Sequence, residues 1–129
     1  MRDDSTRSRV RLAVGNILVY LVGVLVVVSA ALKFAQPPAV VTQFRELGYE
    51  GGKLTFLGIL EVSCALVFVV PWTRSVGLLL ISSYLGGAIA THVGHGQAAA
   101  FGPAVLLALA WLGAWLRHPH LLWSFRTQE

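Results

Sequence analysis

The hydrophobic pattern of the chain consists of long uncharged runs separated by short polar or glycine-rich breaks. Residues 12–32 contain no Asp, Glu, Lys or Arg, and residues 54–70 contain one charged side chain, that of Glu61. Residues 75–116 are also free of those four residue types, but this run is twice the roughly 20 residues that one bilayer crossing needs. It must therefore fold back once, and Gly94–Gln97 (GHGQ) supplies the break.

These runs predict an all-α polytopic membrane protein, an up-and-down bundle of four transmembrane helices. We expect a membrane domain over residues 12–121, with tails at 1–11 and 122–129. The predicted spans are 12–33, 54–70, 75–93 and 98–116. Prolines and glycines between the first two spans predict a surface connection over 35–53, with a short helix near Val40–Leu47.

Charges near the ends of the spans predict the orientation, because cytoplasmic loops carry an excess of Lys and Arg. With both termini in the cytoplasm, the basic residues on that side are Arg2, Arg7, Arg9, Arg11, Arg74, Arg117 and Arg126. The basic residues on the other side are then Lys33, Arg45 and Lys53. We therefore expect a multi-pass protein of the plasma (inner) membrane with both termini in the cytoplasm.

Composition narrows the function classes. Of the 129 residues, 56% are hydrophobic and 12% are charged, about half the charged share of a soluble domain, so no soluble catalytic domain is expected. The net charge of +4 comes mainly from residues beside the apolar runs, where they act as topology signals. This pattern argues against a nucleic-acid partner. Cys64 is the only cysteine, which excludes an intrachain disulfide.

The N-terminal segment has some features of a secretory signal. Arginines precede the first apolar run, and small residues near its end occur in SAALKFA. The run is longer than the roughly 7 to 15 residues of a signal core. We therefore expect a retained membrane anchor.

Glu61 carries most of the functional argument. A charged side chain near the bilayer centre costs about 3 kcal/mol on insertion scales, so it usually faces a bundle interior and has a partner. Lys33 and His92 lie near span ends on the same side of the membrane as Glu61 in this topology. Ser29 lies one turn before Lys33, and Tyr84 lies two turns before His92. We predict a ligand-binding site formed by these five residues.

Each ionisable residue also has a purely structural interpretation. Glu61 could be an interhelical polar lock, Lys33 could extend to the lipid headgroups, and His92 could lie in the wet loop. A difference in depth of about 10 Å within this trio, from the helix rise, argues against a shared site unless the helices tilt.

The residues expected around Glu61 favour a lipophilic ligand. Apolar and small residues, among them Leu57 and Gly58, share its helix face at helical spacing. Such a pocket suits a quinone-like ring, with His or Tyr donating to a carbonyl and Glu61 accepting or relaying a proton. No metal site is expected, because His92 and His95, at i and i+3, have no nearby Cys or Asp.

Two rows of small residues repeat at every fourth position of the third span. Their members are Ser82, Gly86 and Ala90 in the first row and Ser83, Gly87 and Thr91 in the second. Such rows let membrane helices approach each other closely. We therefore predict that Gly86 and Gly87 lie in helix–helix contacts.

Five short motifs occur along the chain in a specific order and spacing. They are SAALKF (29–34), ELGY (46–49), LGILE (57–61), YLGGAIATH (84–92) and WLGAWLRHP (111–119). With these motifs the chain resembles the DoxX-like family of small four-helix bacterial membrane proteins, over roughly residues 14–121. The resemblance implies four helices and a membrane location, and Lys33, Glu61 and His92 fall within the matching motifs.

The family takes its name from a small subunit of a thiosulfate:quinone oxidoreductase, and relatives are linked to membrane redox complexes. The resemblance therefore implies a small integral membrane subunit, with a quinone as the candidate cofactor and a membrane protein or a second copy as the partner. Without a cysteine pair for sulfur chemistry, an autonomous enzyme is not expected. The alternative is a non-catalytic structural or assembly subunit. A solute carrier is less favoured, because no inverted repeat is apparent.

Overall fold

The computed structural model describes residues 2–121, all of whose regular structure is helical. The helices are α1 (Arg2–Ala35), α2 (Pro38–Glu46), α3 (Gly52–Val69), α4 (Arg74–Gly94) and α5 (Phe101–Arg117), with a 3-10 turn (Ala98–Ala100) before α5. Four helices are long and apolar enough to cross a bilayer: α1, α3, α4 and α5 together with its preceding turn. The predicted all-α bundle with four candidate spans is confirmed. The predicted tail 122–129 lies outside the described residues.

Helix α1 is longer than the first predicted span. It has 34 residues and includes the polar segment 2–11, which the sequence pattern assigns to a tail. No proline or glycine interrupts this segment, and the exposed side chains of Asp3 and Arg7 form an i,i+4 ion pair with an N–O distance of 3.3 Å. The segment therefore extends the helix by roughly 15 Å beyond the apolar run.

Helix α2 forms within the connection between α1 and α3. It begins with Pro38 at its first position, where the missing N–H leaves no hydrogen bond unmade. Gly48 (φ 81°) and Gly51 (φ 52°) adopt left-handed backbone conformations, which separate α2 from α3. We call the end of the bundle that contains α2, the last turn of α1 and the segment Gly94–Gln97 the α2 end.

Helices α3 and α4 are joined by a tight turn at the opposite end of the bundle. The buried Arg74 side chain donates from Nε to the carbonyl oxygen of Phe68 (3.2 Å) and from Nη2 to that of Val69 (2.7 Å). Carbonyls in the last turn of a helix lack partners within that helix, so these bonds cap α3. Because Arg74 is also the first residue of α4, one side chain fastens the two helices together.

The four spans form a closed ring in the order α1, α3, α4, α5, in which each packs against the next. Glycines make close contacts between antiparallel neighbours, and the pairs are Gly15 with Gly113, Gly23 with Val69, Gly58 with Phe34, and Gly77 with Phe68. Gly86 and Gly87 make no such contact, because a Cβ added at either position meets only open space. The prediction that these two glycines lie in helix–helix contacts is therefore wrong within this chain.

The apolar core extends from the α3–α4 turn towards the level of Glu61. Its fully buried side chains include Val22 and Val26 of α1, Phe68 of α3 and Ile81 of α4. Beyond that level, towards the α2 end, the bundle encloses a cavity instead of packed side chains. This explains why Gly87, which lines the cavity, has no close neighbour.

Replacing Ser82 with alanine should lower the free energy of unfolding by about 0.5–1.5 kcal/mol, because Trp111 Nε1 donates to Ser82 Oγ at 2.9 Å and would lose its acceptor. Equilibrium unfolding in detergent measures the change. Ser83→Ala is the matched control, since the exposed Ser83 hydroxyl bonds only to its own helix at Leu79 and should leave the stability unchanged. Equal effects of the two variants would contradict a stabilising α4–α5 bond.

Candidate functional site

A cavity of about 500 Å³ lies at the α2 end and is lined by residues of all five helices. The five residues of the predicted ligand site all line it: Ser29, Lys33, Glu61, Tyr84 and His92. Much of the remaining wall is apolar, and its larger members are Val40, Phe44, Leu47, Leu57, Leu60, Leu85 and Leu106. The structure thus brings the five residues together around one space, while their role in binding a ligand stays a prediction.

A buried ion pair joins α1 to α3 at the centre of this site. Lys33 Nζ lies 2.7 Å from Glu61 Oε2, and the two residues are 4% and 3% exposed. Such a short, charge-assisted bond offsets part of the cost of removing both charges from water. The interpretation in which Lys33 extends to the lipid headgroups is therefore wrong.

The directions of the two side chains explain how Lys33 and Glu61 meet although their Cα atoms lie at different depths along the bundle. Helical side chains lean towards the N-terminus of their own helix. Since α1 and α3 are antiparallel, Lys33 leans back into the bundle and Glu61 leans towards the α2 end. The ammonium and the carboxylate therefore meet between the levels of their Cα atoms.

The Lys33 ammonium has further partners on two other sides. It donates to Ser29 Oγ at 2.8 Å, one turn back along α1. It also lies 5.1 Å from the centre of the Phe44 ring of α2, within the range of a cation–π contact. The ammonium is thus held by α1, α2 and α3 at once, which fixes its position in the cavity wall.

Tyr84 of α4 lies beside the carboxyl group of Glu61. Its hydroxyl is close enough to interact with that carboxyl, and both side chains line the cavity. A phenol can donate one hydrogen bond and accept another. Glu61 therefore has a cationic neighbour on α1 and a neutral hydroxyl neighbour on α4.

His92 belongs to a second polar group of the same cavity. It is 8% exposed, so the interpretation that places it in the wet loop is wrong. Its Nδ1 lies 2.9 Å from Gln97 Oε1, and Gln97 Nε2 donates to Glu46 Oε2 at 3.3 Å. His92 is therefore tied to the Gly94–Gln97 segment and α2, and its hydrogen bond is not to Glu61.

The residues that the sequence-based prediction does not include comprise Phe44, which lines the cavity, and Glu46 and Gln97, which form a chain of hydrogen bonds to His92. Two of them lie in segments that the sequence analysis singled out for other reasons, since Glu46 begins ELGY and Gln97 ends GHGQ. In the sequence, Glu46 and Gln97 are recognisable only as polar residues in connections that follow an apolar span. Such residues are usually solvated, so nothing in the pattern separates these two from ordinary loop positions.

The cavity also reaches the side of the bundle that would face lipid. Leu60 of α3 and Ser83 and Gly87 of α4 line the cavity and are exposed, although α3 and α4 are neighbours in the ring. The missing side chain at Gly87 leaves open space at this position. The site thus combines buried donors and acceptors with an apolar wall and a lateral opening, an arrangement that suits an amphiphilic small molecule.

The DoxX-like family model matches residues 17–113, which form the greater part of the chain. The matched range contains all five residues of the predicted site together with Phe44, Glu46 and Gln97. No curated protein and no solved structure matches the chain significantly. With its four apolar helices, the chain is a multi-pass membrane protein in contact with the lipid bilayer, and it belongs to the DoxX-like family.

Proposed function

We propose that this protein is a small integral membrane subunit that binds a quinone-like or other lipophilic molecule beside Glu61 and supports a membrane redox complex. The observation that carries the proposal is a cavity of about 500 Å³ whose wall contains the buried Lys33–Glu61 pair. This volume lies within the range of roughly 300–1,000 Å³ of small-molecule sites. A cavity of this size has room for a substituted ring and the first part of an apolar tail.

The position of the ion pair supports a ligand site over a simple helix lock. A pair that only fastens helices is best enclosed by packed side chains, because empty space beside it forfeits dispersion contacts. Here Glu61 and Tyr84 both line the cavity. The polar groups of a ring therefore find donors and an acceptor at one end of the cavity and apolar side chains along the rest.

The lateral opening between α3 and α4 supports a ligand that arrives from the bilayer. Leu60 and Gly87 border the opening, and both are exposed on the surface that lipid covers. A lipophile dissolved in the membrane then reaches the Lys33–Glu61 pair without crossing the headgroup region. Its tail remains in contact with lipid while the polar head occupies the cavity.

We also propose a bacterial inner membrane location with both termini in the cytoplasm. The ammonium of Lys33 pairs with Glu61, and the guanidinium of Arg74 caps α3. We therefore leave both residues out of the comparison of basic residues at the two ends of the bundle. Of the described basic residues that remain, Arg7, Arg9, Arg11 and Arg117 lie at the end opposite α2, while Arg45 and Lys53 lie at the α2 end. This asymmetry supports placing the α2 end outside.

Loss of a bound lipophile in Glu61→Gln tests the proposal. The protein is purified in native lipid, and copurifying small molecules are identified by mass spectrometry. We expect one lipophile to be enriched in the wild type and to fall by about tenfold in the variant, since a charged hydrogen-bond partner is lost. Glu50→Gln is the matched control, because Glu50 is exposed and its ion pair within residues 2–121 is with Arg45, at 3.4 Å.

Gly87→Leu tests the cavity without touching any polar group. A Cβ added at this position has no atom within 4 Å, and the rest of a leucine side chain should narrow the space beside Glu61, so the copurifying lipophile should decrease while thermal stability is kept. Gly86→Leu is the control, since Gly86 also has open space but does not line the cavity. Absence of an enriched lipophile from the wild type would support the structural or assembly subunit, in which Lys33 and Glu61 only hold α1 to α3.

A further inference from the structure

A chain of three side chains connects the protein surface at the α2 end with the cavity. Glu46 is exposed at the end of α2, Gln97 lies in the break between α4 and α5, and His92 is buried at the end of α4. Gln97 Nε2 is 3.3 Å from Glu46 Oε2, and Gln97 Oε1 is 2.9 Å from His92 Nδ1. The three residues belong to three separate elements, so their alignment is a product of the fold.

The carboxylate of Glu46 fixes the orientation of the Gln97 amide. An ionised carboxylate only accepts hydrogen bonds, so the NH₂ group of Gln97 must be the group that faces it. The amide oxygen then faces His92. This oxygen only accepts, and the ring nitrogen beside it, Nδ1, must therefore carry a proton.

A neutral imidazole with its proton on Nδ1 has a free lone pair on Nε2. Among the described residues His92 has no second hydrogen bond, and its side chain lines the cavity. In a neutral ring, Nε2 is then the hydrogen-bond acceptor that His92 offers to a molecule in the cavity. Glu46 sets this property from a distance, by orienting Gln97, without touching the cavity ligand.

We propose that the cavity selects the hydroxyl-bearing form of a lipophilic ring, a hydroquinone-like molecule, over the corresponding quinone. The inference rests on the proposed function and names the form of the ligand. A quinone presents only carbonyl oxygens, which cannot donate a hydrogen bond to His92 Nε2. A hydroquinone donates a hydrogen bond from one hydroxyl to Nε2, and a hydroxyl oxygen can accept from Tyr84 or from the Lys33 ammonium.

The same cavity then offers an acceptor for the O–H of a hydroxyl and donors for its oxygen. Lys33 supplies an ammonium with donors only, Glu61 a carboxyl and Tyr84 a hydroxyl, and His92 adds the neutral acceptor. A buried acceptor left without a donor is unfavourable, so the quinone form loses affinity relative to the hydroquinone. A single hydrogen bond corresponds to a preference of roughly 2- to 10-fold.

Nitrogen NMR of histidine-labelled protein tests the tautomer without any ligand. We expect the His92 signals, assigned by their loss in His92→Gln, to show a protonated Nδ1 and an unprotonated Nε2. In Glu46→Lys an ammonium replaces the carboxylate, so the Gln97 oxygen turns towards it and the NH₂ group turns towards His92. The proton should then move to Nε2. A wild-type protein with its proton on Nε2 would overturn the inference whatever the ligand proves to be.

Binding of a decyl-substituted benzoquinone and of its hydroquinone, measured under anaerobic conditions, tests the selectivity. The wild type should bind the hydroquinone roughly 2- to 10-fold more tightly, and Glu46→Lys should remove this preference, because a hydroxyl oxygen and a carbonyl oxygen can both accept from a protonated Nε2. Glu50→Lys makes the same change in charge at an exposed residue of the adjacent segment and should keep the wild-type order. Equal affinity for both forms with Nδ1 protonated would overturn the ligand selectivity alone, whereas failure of both forms to bind would overturn the proposed function for this ligand class as well.

Discussion

Replacing Lys33 with methionine is expected to lower the free energy of unfolding by about 3–5 kcal/mol, the usual cost of breaking a buried ion pair. Methionine replaces the apolar stem of the lysine but leaves the carboxylate of Glu61, 3% exposed, without its cationic partner at 2.7 Å. It also removes the contacts to Ser29 and Phe44. Equilibrium unfolding in detergent or bicelles measures the loss.

A double-mutant cycle separates the pair from the packing around it. If the charge left on Glu61 causes the loss, then Lys33→Met combined with Glu61→Leu should recover most of the stability of the wild type. Additive losses in the double variant would show that the two side chains do not interact. Lys53→Met is the control for removing a lysine, since Lys53 is exposed and bonds only weakly to Gly48.

Gly77→Ala should destabilise the protein by more than about 3 kcal/mol, because the added methyl group overlaps the backbone of α3. A Cβ at this position would overlap the Phe68 backbone and the Val67 carbonyl carbon. Backbone atoms cannot rotate aside as a side chain does, so the two helices must separate, and overpacking of a core already costs roughly 1–3 kcal/mol. The expected result is a large fall in the midpoint of thermal unfolding.

Gly86→Ala, on the same helix, isolates this steric effect. A methyl group at Gly86 meets open space, and alanine is a better helix former than glycine by up to about 1 kcal/mol. We therefore expect unchanged or slightly higher stability. A loss in Gly86→Ala comparable to that in Gly77→Ala would contradict the close α3–α4 contact and would indicate a general intolerance of α4 to substitution.

The sequence predicts the architecture well because the signals for membrane spans are long and independent of tertiary contacts. The structure contains four helices at the predicted spans, a break between α4 and α5 at Gly94–Gln97, and the short helix before α3. The start of α1 is the exception. The helical state of residues 2–11 depends on nucleation by the adjoining span, and composition alone assigns this charged segment to a tail.

The candidate residues could be read from the sequence, but their arrangement could not. An ionisable residue inside an apolar run requires a partner, which selects Glu61, Lys33 and His92. The sequence does not reveal that Lys33 bonds to Glu61 while His92 bonds to Gln97, because this depends on helix rotation and on the lean of each side chain. The contribution of Glu46 depends on where α2 docks, and no periodicity encodes that position.

The error about Gly86 and Gly87 has the same origin. Rows of small residues indicate that a close approach is permitted, but they do not say that a neighbour uses it. In this chain close approaches occur at Gly15, Gly23 and Gly77, where the spans cross the packed core. At Gly87 the small residue leaves room for the cavity instead.

The cap formed by Arg74 gives the bundle a fixed pivot. Because its guanidinium holds the last carbonyls of α3 and its backbone begins α4, these helices cannot separate at that end. A change in the angle between them moves the helices apart by a distance that grows away from Arg74, and Gly87 lies roughly 20 Å along the helix from this point. We therefore expect the width of the cavity mouth to vary through a small rotation about one end, while the core beside the pivot stays intact.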